Sequence, residues 1–572
     1  MYRTTSVGSA SNKYNCYNHC VHSFNVAKCC SKPAQPSAHL IVTDVFAVIG
    51  RFSKKKKYTY FSIWYVTMQS VKRLSHTLLR NNQNVILFHK ALESTSIPIN
   101  LELKEWKDIP GPLSLPIIGQ LLHFVPGGDL YKHELPLPDI LYNKYGPIVR
   151  LGGFFGMPKI VFFYDADTVE YILRSEDRLP DRPAFLSIEY FRKHYKKNKY
   201  SSTTERTGLV TDQGELWRKT RSTVNPIMLN PKTIKLYTNT LHEVVEDLIV
   251  RLKAVRKQDN MFDDFRVEMN LWTLESVSAV VLGRRLNCFN SDASDDSPMK
   301  RLVKAVHKIF DMSEAMDLKP ALWRFISTPM FKKAMNAYEE HTNLNRYFIK
   351  KSIEDLKRQP ARSNEQKGVL EKLLEIDDEI AFTMGIDSLF AGVDTTANVM
   401  ISALYFLATN QDKQNKLREE LKDEKNLYLK ACIKESMRLL PAVPYNLRRA
   451  SKDYHIMGYN IPKGTFMVVN HQFLCRSEEI YFRAREYIPE RWIVDKSDPL
   501  YHGNAHKFAY SPFGYGTRGC IGKRIAQMEM ELFLTKMVQT FHIDWNGPPP
   551  RVKTSVVNHF RDKLNFVLTD IA

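Results

Sequence analysis

The sequence predicts a mainly α-helical protein with small β-sheets, an α+β chain whose strands are few and short. Three stretches carry that expectation. Asp378 to Thr409 is a long, proline-free, mostly apolar run. It reads as a buried central helix of about 48 Å at 1.5 Å per residue. Phe508 to Phe541 holds Phe513-Gly-Tyr-Gly-Thr-Arg-Gly-Cys520-Ile-Gly522, then apolar residues at Ile521, Ile525, Met528, Leu532 and Phe533. That is a glycine-rich loop turning into a helix of 3.6-residue period. Ile148 to Leu151 and Lys159 to Phe163 are the strand-like runs, with Gly152, Gly153 and Gly156 as the turn.

Bulk properties narrow the partners. The chain has 572 residues and a formal charge of +20. Such charge suits an acidic partner, an anionic membrane surface or nucleic acid. No nucleic-acid motif accompanies it, so no nucleic acid is expected. Cys16, Cys20, Cys29 and Cys30 crowd the start, while Cys288, Cys432, Cys475 and Cys520 are scattered. Scattered cysteines in a long chain do not read as a disulfide framework.

Taken in order, residues 1–67 form a leader of unknown role. Its cysteines, His19 and His22 fit no zinc spacing cleanly. Residues 68–104 look like a transit peptide and linker. Met68 to Ala91 carries Lys72, Arg73, Arg80 and Lys90 with no acid, and Val71, Leu74 and Leu78 on one face. An ordinary surface helix is the alternative, and Met68 is a candidate start. A membrane anchor needs about 20 apolar residues, and neither His39 to Gly50 nor Tyr58 to Met68 is long enough. Ile109-Pro-Gly-Pro112 and Leu115-Pro116 stiffen the entry to the body, residues 105–572. Asp165 opens a helix after the second strand. Trp217 and Arg221 stand at i and i+4, on one helical face. Residues 230–375 read as helix-rich, with linkers near 291–296 and 359–364.

Within the central helix, Asp387 and Asp394 argue against a membrane span. Its middle reads Ala391-Gly392-Val393-Asp394-Thr395-Thr396. Gly392 is expected to let a flat object pack against the helix, and a hydroxyl here can bond the i−4 carbonyl. Glu435 and Arg438 share a helical face, and Pro489-Glu-Arg491-Trp492 follows downstream. Lys430 and Lys434 are one turn apart just before Glu435, which alone would be a solvated lysine face.

Cys520 is expected at a helix N-terminus, where the dipole and free N–H groups favour a thiolate. Gly514, Gly516, Gly519 and Gly522 are expected to take positive φ around it. A zinc site would need more ligands than His502 and His506. The spacing F-x-x-G-x-R-x-C-x-G resembles the haem-binding loop of the cytochrome P450 family, and matches at every fixed position. A-G-x-D-T-T at Ala391 to Thr396, E-x-x-R at Glu435 to Arg438, P-E-R-W at Pro489 and W-x-x-x-R at Trp217 resemble the same family in the same order. The lysine-bearing segment Leu429 to Arg438 is similar to its mitochondrial clan, with an insect-like texture overall.

The resemblance implies a fold with haem b (iron protoporphyrin IX) between the central helix and the Cys-loop helix. It implies that Cys520 ligates the iron and favours O–O cleavage. It assigns Phe513, Gly516, Trp217, Arg221, Arg448 and Arg518 to the cofactor, the arginines on its propionates. Arg449 stays open as a neighbour of Arg448. Thr395 and Asp394 would relay protons to dioxygen, and Glu435, Arg438 and Arg491 would form a structural triad. Lys430 and Lys434, extended by Lys523 and Arg524, would dock an adrenodoxin-like mitochondrial ferredoxin served by its reductase. The expected activity is insertion of one atom of O2 into a lipophilic substrate, steroid- or ecdysteroid-like or xenobiotic. The expected place is the matrix side of the inner mitochondrial membrane, with peripheral membrane contact. The alternatives are an enzyme that rearranges substrate without outside electrons, and a haem-binding non-catalytic or inactive member. The stretch from Thr396 to Glu435 is shorter than the clan's, with the gap near Leu421 to Lys425.

Overall fold

The computed structural model describes residues 103–571 apart from 117, 132–134, 153–156, 184, 196–205, 291–293, 295, 318–321 and 361. The readings of 1–67, of 68–102 and of Gly153 and Gly156 lie outside the described residues.

Helices dominate, as the periodicity predicts. They are α1 Leu137–Tyr145, α2 Ala166–Arg174, α3 Leu186–Tyr190, α4 Gly214–Met228, α5 Pro231–Lys235, α6 Thr238–Val255, α7 Phe265–Val281 and α8 Pro298–Asp317. There follow α9 Pro329–Lys357, α10 Val369–Leu374, α11 Asp378–Ala408, α12 Gln411–Lys422, α13 Leu427–Leu439, α14 His471–Cys475 and α15 Lys523–Thr540. Asp165 caps α2 by accepting from Thr168 N at 2.7 Å, the start its sequence position predicts.

The central helix α11 begins where Asp377 accepts from Glu379 N and Ile380 N. It is long and apolar enough to cross a membrane, but two-thirds of its most apolar stretch is buried inside the protein. Helices α7, α9, α10, α13 and α15 pack around it, and Trp272 of α7 stacks on Phe533 of α15 at 4.1 Å. Gly392 does not serve the purpose expected of it. A Cβ there would meet Val277 Cγ2 at 2.8 Å, so the missing side chain lets α7 approach, as Gly385 does for Ile349.

Among the described residues the strands form one four-stranded and three two-stranded sheets. β1 Ile148–Gly152 and β2 Lys159–Phe163 are antiparallel, with Leu151 opposite Ile160. β6 Phe466–Val469 joins β2 in parallel, and β3 Asn446–Arg449 closes the sheet order β1-β2-β6-β3. β4 Tyr454–Ile456 pairs with β5 Tyr459–Ile461, and β8 Val552–Thr554 with β9 Asn558–Phe560. β7 Phe541–Trp545 continues directly from α15 and pairs with β10 Phe566–Asp570. β7, β9 and β10 share the core of the central helix. The proline entry lies on the sheet: Arg150 donates to Ile109 O at 2.9 Å. A Cβ on Gly111 would meet Arg150 O at 2.4 Å.

Candidate active site

The Cys520 loop is built by tight backbone turns. Gly514 and Gly516 take φ of 73° and 66°, where a side chain would be strained. Gly519 and Gly522 do not, at −56° and −83°. Gly519 is instead small because Gly516 O lies 3.1 Å from where its Cβ would be. Cys520 N donates to Phe513 O at 2.8 Å, which folds the loop back on itself. The helix starts at Lys523 with Gly522 as its cap, so Cys520 precedes the helix rather than opening it. Burial pushes the Cys520 thiol up; the Gly522 N–H, Arg221, Arg182 and Lys523 pull the other way. The expected preference for thiolate is therefore outweighed by desolvation in the protein alone. Cys520 as a residue is exposed even so.

Arginines converge on this loop. Arg518 donates to Pro180 O at 2.9 Å and Gln213 Oε1 at 2.6 Å, and its guanidinium sits 3.7 Å from the Trp217 ring centroid. The cation on Trp217 thus comes from the Cys520 loop, and Arg221 turns elsewhere. Arg221 donates to Gly519 O at 2.8 Å, while its Nε is buried without a partner. Arg448 pairs with Glu176 and is 3% exposed. Arg449 is held by Asp181 at 3.2 Å.

Arg182, from the segment before α3, completes the group and also has an orphaned Nε. Burial, then the mutual repulsion of Arg448 and Arg221, lowers Arg182 to about 10. Burial, then Arg182 and Arg448, lowers Arg518 to about 9. A cluster of buried cations with unused N–H groups suits an anion carrying more than one negative charge. The two propionates of haem fit that description, beside an exposed Cys520.

The central helix offers its own polar groups. Thr395 Oγ1 donates to Ala391 O at 2.7 Å, the i−4 bond expected of it. Ala391 is exposed near the middle of this mostly buried helix, which leaves room beside it. Asp394 is buried and meets His307 Nε2 of α8 at 3.0 Å. Asp387 is buried too, paired with Arg192 at 2.7 Å.

Glu435, Arg438 and Arg491 come together, all 0% exposed. Glu435 accepts from Arg438 Nη2 at 2.8 Å, Arg491 Nε at 2.9 Å, Trp492 Nε1 at 2.9 Å and Ile488 N at 3.0 Å. Lys430 lies on the same helix, 3.9 Å from Glu531, and the ammonium of Lys434 sits 5.6 Å from the centroid of the Trp492 ring. The shortened join before α13 is closed: Glu420 of α12 accepts from Tyr428 N at 2.7 Å and Leu429 N at 3.2 Å.

Sequence reasoning missed Arg182, His307 and Glu529. Arg182 had only its place in a loop, and His307 only its place on an amphipathic helix. Glu529 of α15 is pushed up to about 8 by burial, and its Oε1 has no partner. A buried acid inside a helical apolar period was the one signal available.

The family model described as Cytochrome P450 matches residues 109–564. "Cytochrome P450 CYP12A2" of Musca domestica is 35% identical over 500 residues, 82% of this chain and 92% of its own length. "Probable cytochrome P450 12c1, mitochondrial" of Drosophila melanogaster is 35% identical over 468 residues, 77% of this chain and 87% of that one. The solved structure of "Retinoic acid bound cyanobacterial CYP120A1" aligns with a TM-score of 0.64 at 22% identity, over 82% of this chain and 100% of that chain. At that identity the likeness speaks for the fold.

Proposed function

The chain belongs to the cytochrome P450 family, and on that premise we propose that it is a mitochondrial member which takes electrons from a ferredoxin to oxidise a lipophilic substrate. Membership makes it a haem-thiolate monooxygenase that uses haem b and dioxygen. The bound haem supplies the two-electron activation of O2 that puts one oxygen atom into substrate and the other into water.

The residues take these roles in our reading. Cys520 would supply the thiolate that holds the haem iron, and its loop is held in shape by Gly516, Phe513 O and Arg221. Arg221, Arg448 and Arg518, joined by Arg182, would hold the propionates, with Trp217 stacked beneath Arg518. Two added negative charges would relieve the repulsion among these cations. That crowding of orphaned arginines around Cys520 is the observation that carries the haem site. Thr395 and Asp394 move protons on the central helix, with Ala391 leaving space beside them. Glu435, Arg438 and Arg491 maintain the fold. All of these fall in 105–572, the proposed catalytic domain, with 1–67 and 68–104 as leader and transit-like segment.

The electron donor is read from charge. Lys430 and Lys434 present ammonium groups one turn apart on α13, and an acidic iron–sulfur ferredoxin is complementary to them. The name of the Drosophila melanogaster relative includes "mitochondrial", which supports the same compartment here. The substrate class is steroid-like or xenobiotic. Peripheral contact with the inner membrane would use exposed Leu322, Phe325 and Ile326, which lie beside Arg324. Turnover with a mitochondrial ferredoxin and its reductase tests the donor. Lys430→Gln with Lys434→Gln should weaken ferredoxin support about tenfold or more at low salt and flatten its salt dependence. Equal turnover with a membrane flavoprotein reductase, unaffected by the double substitution, would contradict it.

A further inference from the structure

The proton-relay motif contains Asp394 and Thr395 but not the residue that Asp394 meets. His307 of α8 places Nε2 3.0 Å from Asp394 Oδ1. The two side chains differ in access: the His307 ring is 37% exposed and the carboxylate 8%. Lys304 and Asp311, one turn to either side on α8, are exposed. His307 therefore stands on the outward stripe of its helix while one nitrogen reaches the acid of the central helix. Asp394 Oδ1 is buried and has no aligned hydrogen bond in this rotamer, so it is a carboxylate oxygen still open to a donor.

The same Nε2 lies 2.8 Å from Asn270 Nδ2 of α7. A protonated Nε2 is a donor and suits the carboxylate; a bare Nε2 is an acceptor and suits the amide N–H. Each protonation state of the ring has a partner in place. The surrounding charges are mixed. Burial and Arg266 of α7 disfavour the imidazolium, while Asp394 and Asp311 favour it and win, holding His307 above the usual histidine range. On β9, His559 lies close enough to feel Asp394, Asp311, Arg266 and Lys553, and burial with Lys553 keeps it low.

We propose that His307 is the proton-entry residue of this enzyme, taking protons from solvent and handing them through Nε2 to Asp394. In the transfer the Nε2–H bond breaks and an Oδ1–H bond forms. Imidazolium and carboxylate become imidazole and carboxylic acid, so charge is conserved within the pair. The neutral ring keeps its Nδ1 proton and accepts from Asn270 Nδ2 at Nε2; rotation of the partly exposed ring then turns the bare Nε2 to solvent, from which it regains its proton before swinging back to Asp394. This rests on the reading of Asp394 and Thr395 as the groups that supply protons during turnover.

The test joins a resting-state readout to a turnover readout. Histidine-selective 15N labelling of the full haem-loaded chain, in its diamagnetic ferrous carbonyl form, reports the protonation of His307. Asp394→Asn should lower its titration midpoint and Asn270→Leu should raise it, two shifts of opposite sign that a purely structural histidine would not show. In turnover, His307→Gln should cut product formed per electron about tenfold or more, at the modest end of what a general acid supplies. Hydrogen peroxide should take up the difference, the pH dependence through the histidine titration should vanish, and the substrate-binding spectral shift should stay unchanged. A His307 midpoint unmoved by Asp394→Asn overturns the proposal. So does full coupling in His307→Gln when Asp394→Asn is uncoupled, which leaves the Asp394 relay standing. Full coupling in Asp394→Asn overturns the relay itself.

Discussion

Glu435 accepts from four residues in two segments, its own helix and 488–492, and two of those residues are arginines with no access to water. Removing it leaves Arg438 and Arg491 as uncompensated buried charges. Glu435→Ala should therefore cost about 3–5 kcal/mol, the range for breaking a buried pair from one side. Urea unfolding of the haem-loaded chain measures this; a loss within that of an exposed pair, below about 1 kcal/mol, would contradict the triad's structural role. The i to i+3 spacing of Glu435 and Arg438 made their pairing legible in the sequence. Trp492 Nε1 and Ile488 N were not legible, because a hydrogen bond across more than 50 residues leaves no local pattern. The same limit hid Arg182 and His307. Each becomes significant only through neighbours that the fold supplies.

At the scale of elements, the central helix was the most readable part. A proline-free apolar run and an aspartate cap define it, and the expected span Asp378 to Thr409 ends one residue beyond the observed Ala408. What the sequence misstated was the purpose of its glycine. Gly392 gives room to α7, and only the packing reveals that. Gly392→Ala should destabilise by about 1–3 kcal/mol, since extra volume in a packed contact forces displacement. Val277→Ala should restore part of that loss in the double substitution, because the Cγ2 atom in conflict is gone. Denaturant midpoints of the two single variants and the double variant give the coupling; strict additivity would show that the two helices do not meet there. The Cys520 loop was legible as a motif but not in its exact joint, because glycines serve either positive φ or close approach and the sequence does not distinguish these.

The whole molecule carries its charge of +20 with an apolar surface segment near residue 325. Phe325 and Ile326 are 70% and 62% exposed. Buried apolar area is the principal source of interfacial binding and anionic headgroups add to it. Phe325→Ser with Ile326→Ser should shift the chain from the vesicle-bound to the free fraction in flotation with cardiolipin-containing vesicles. Unchanged flotation would place the membrane contact elsewhere.

Ferrous carbonyl spectroscopy of the full chain decides whether Cys520 ligates the haem. A thiolate ligand gives a far red-shifted Soret band, and this is the expected spectrum of the haem-loaded protein. Cys520→Ala should abolish that band, leaving at most the spectrum of haem without a thiolate. A red-shifted band that survives Cys520→Ala, or its absence from the intact folded chain loaded with haem, would contradict the account at its centre.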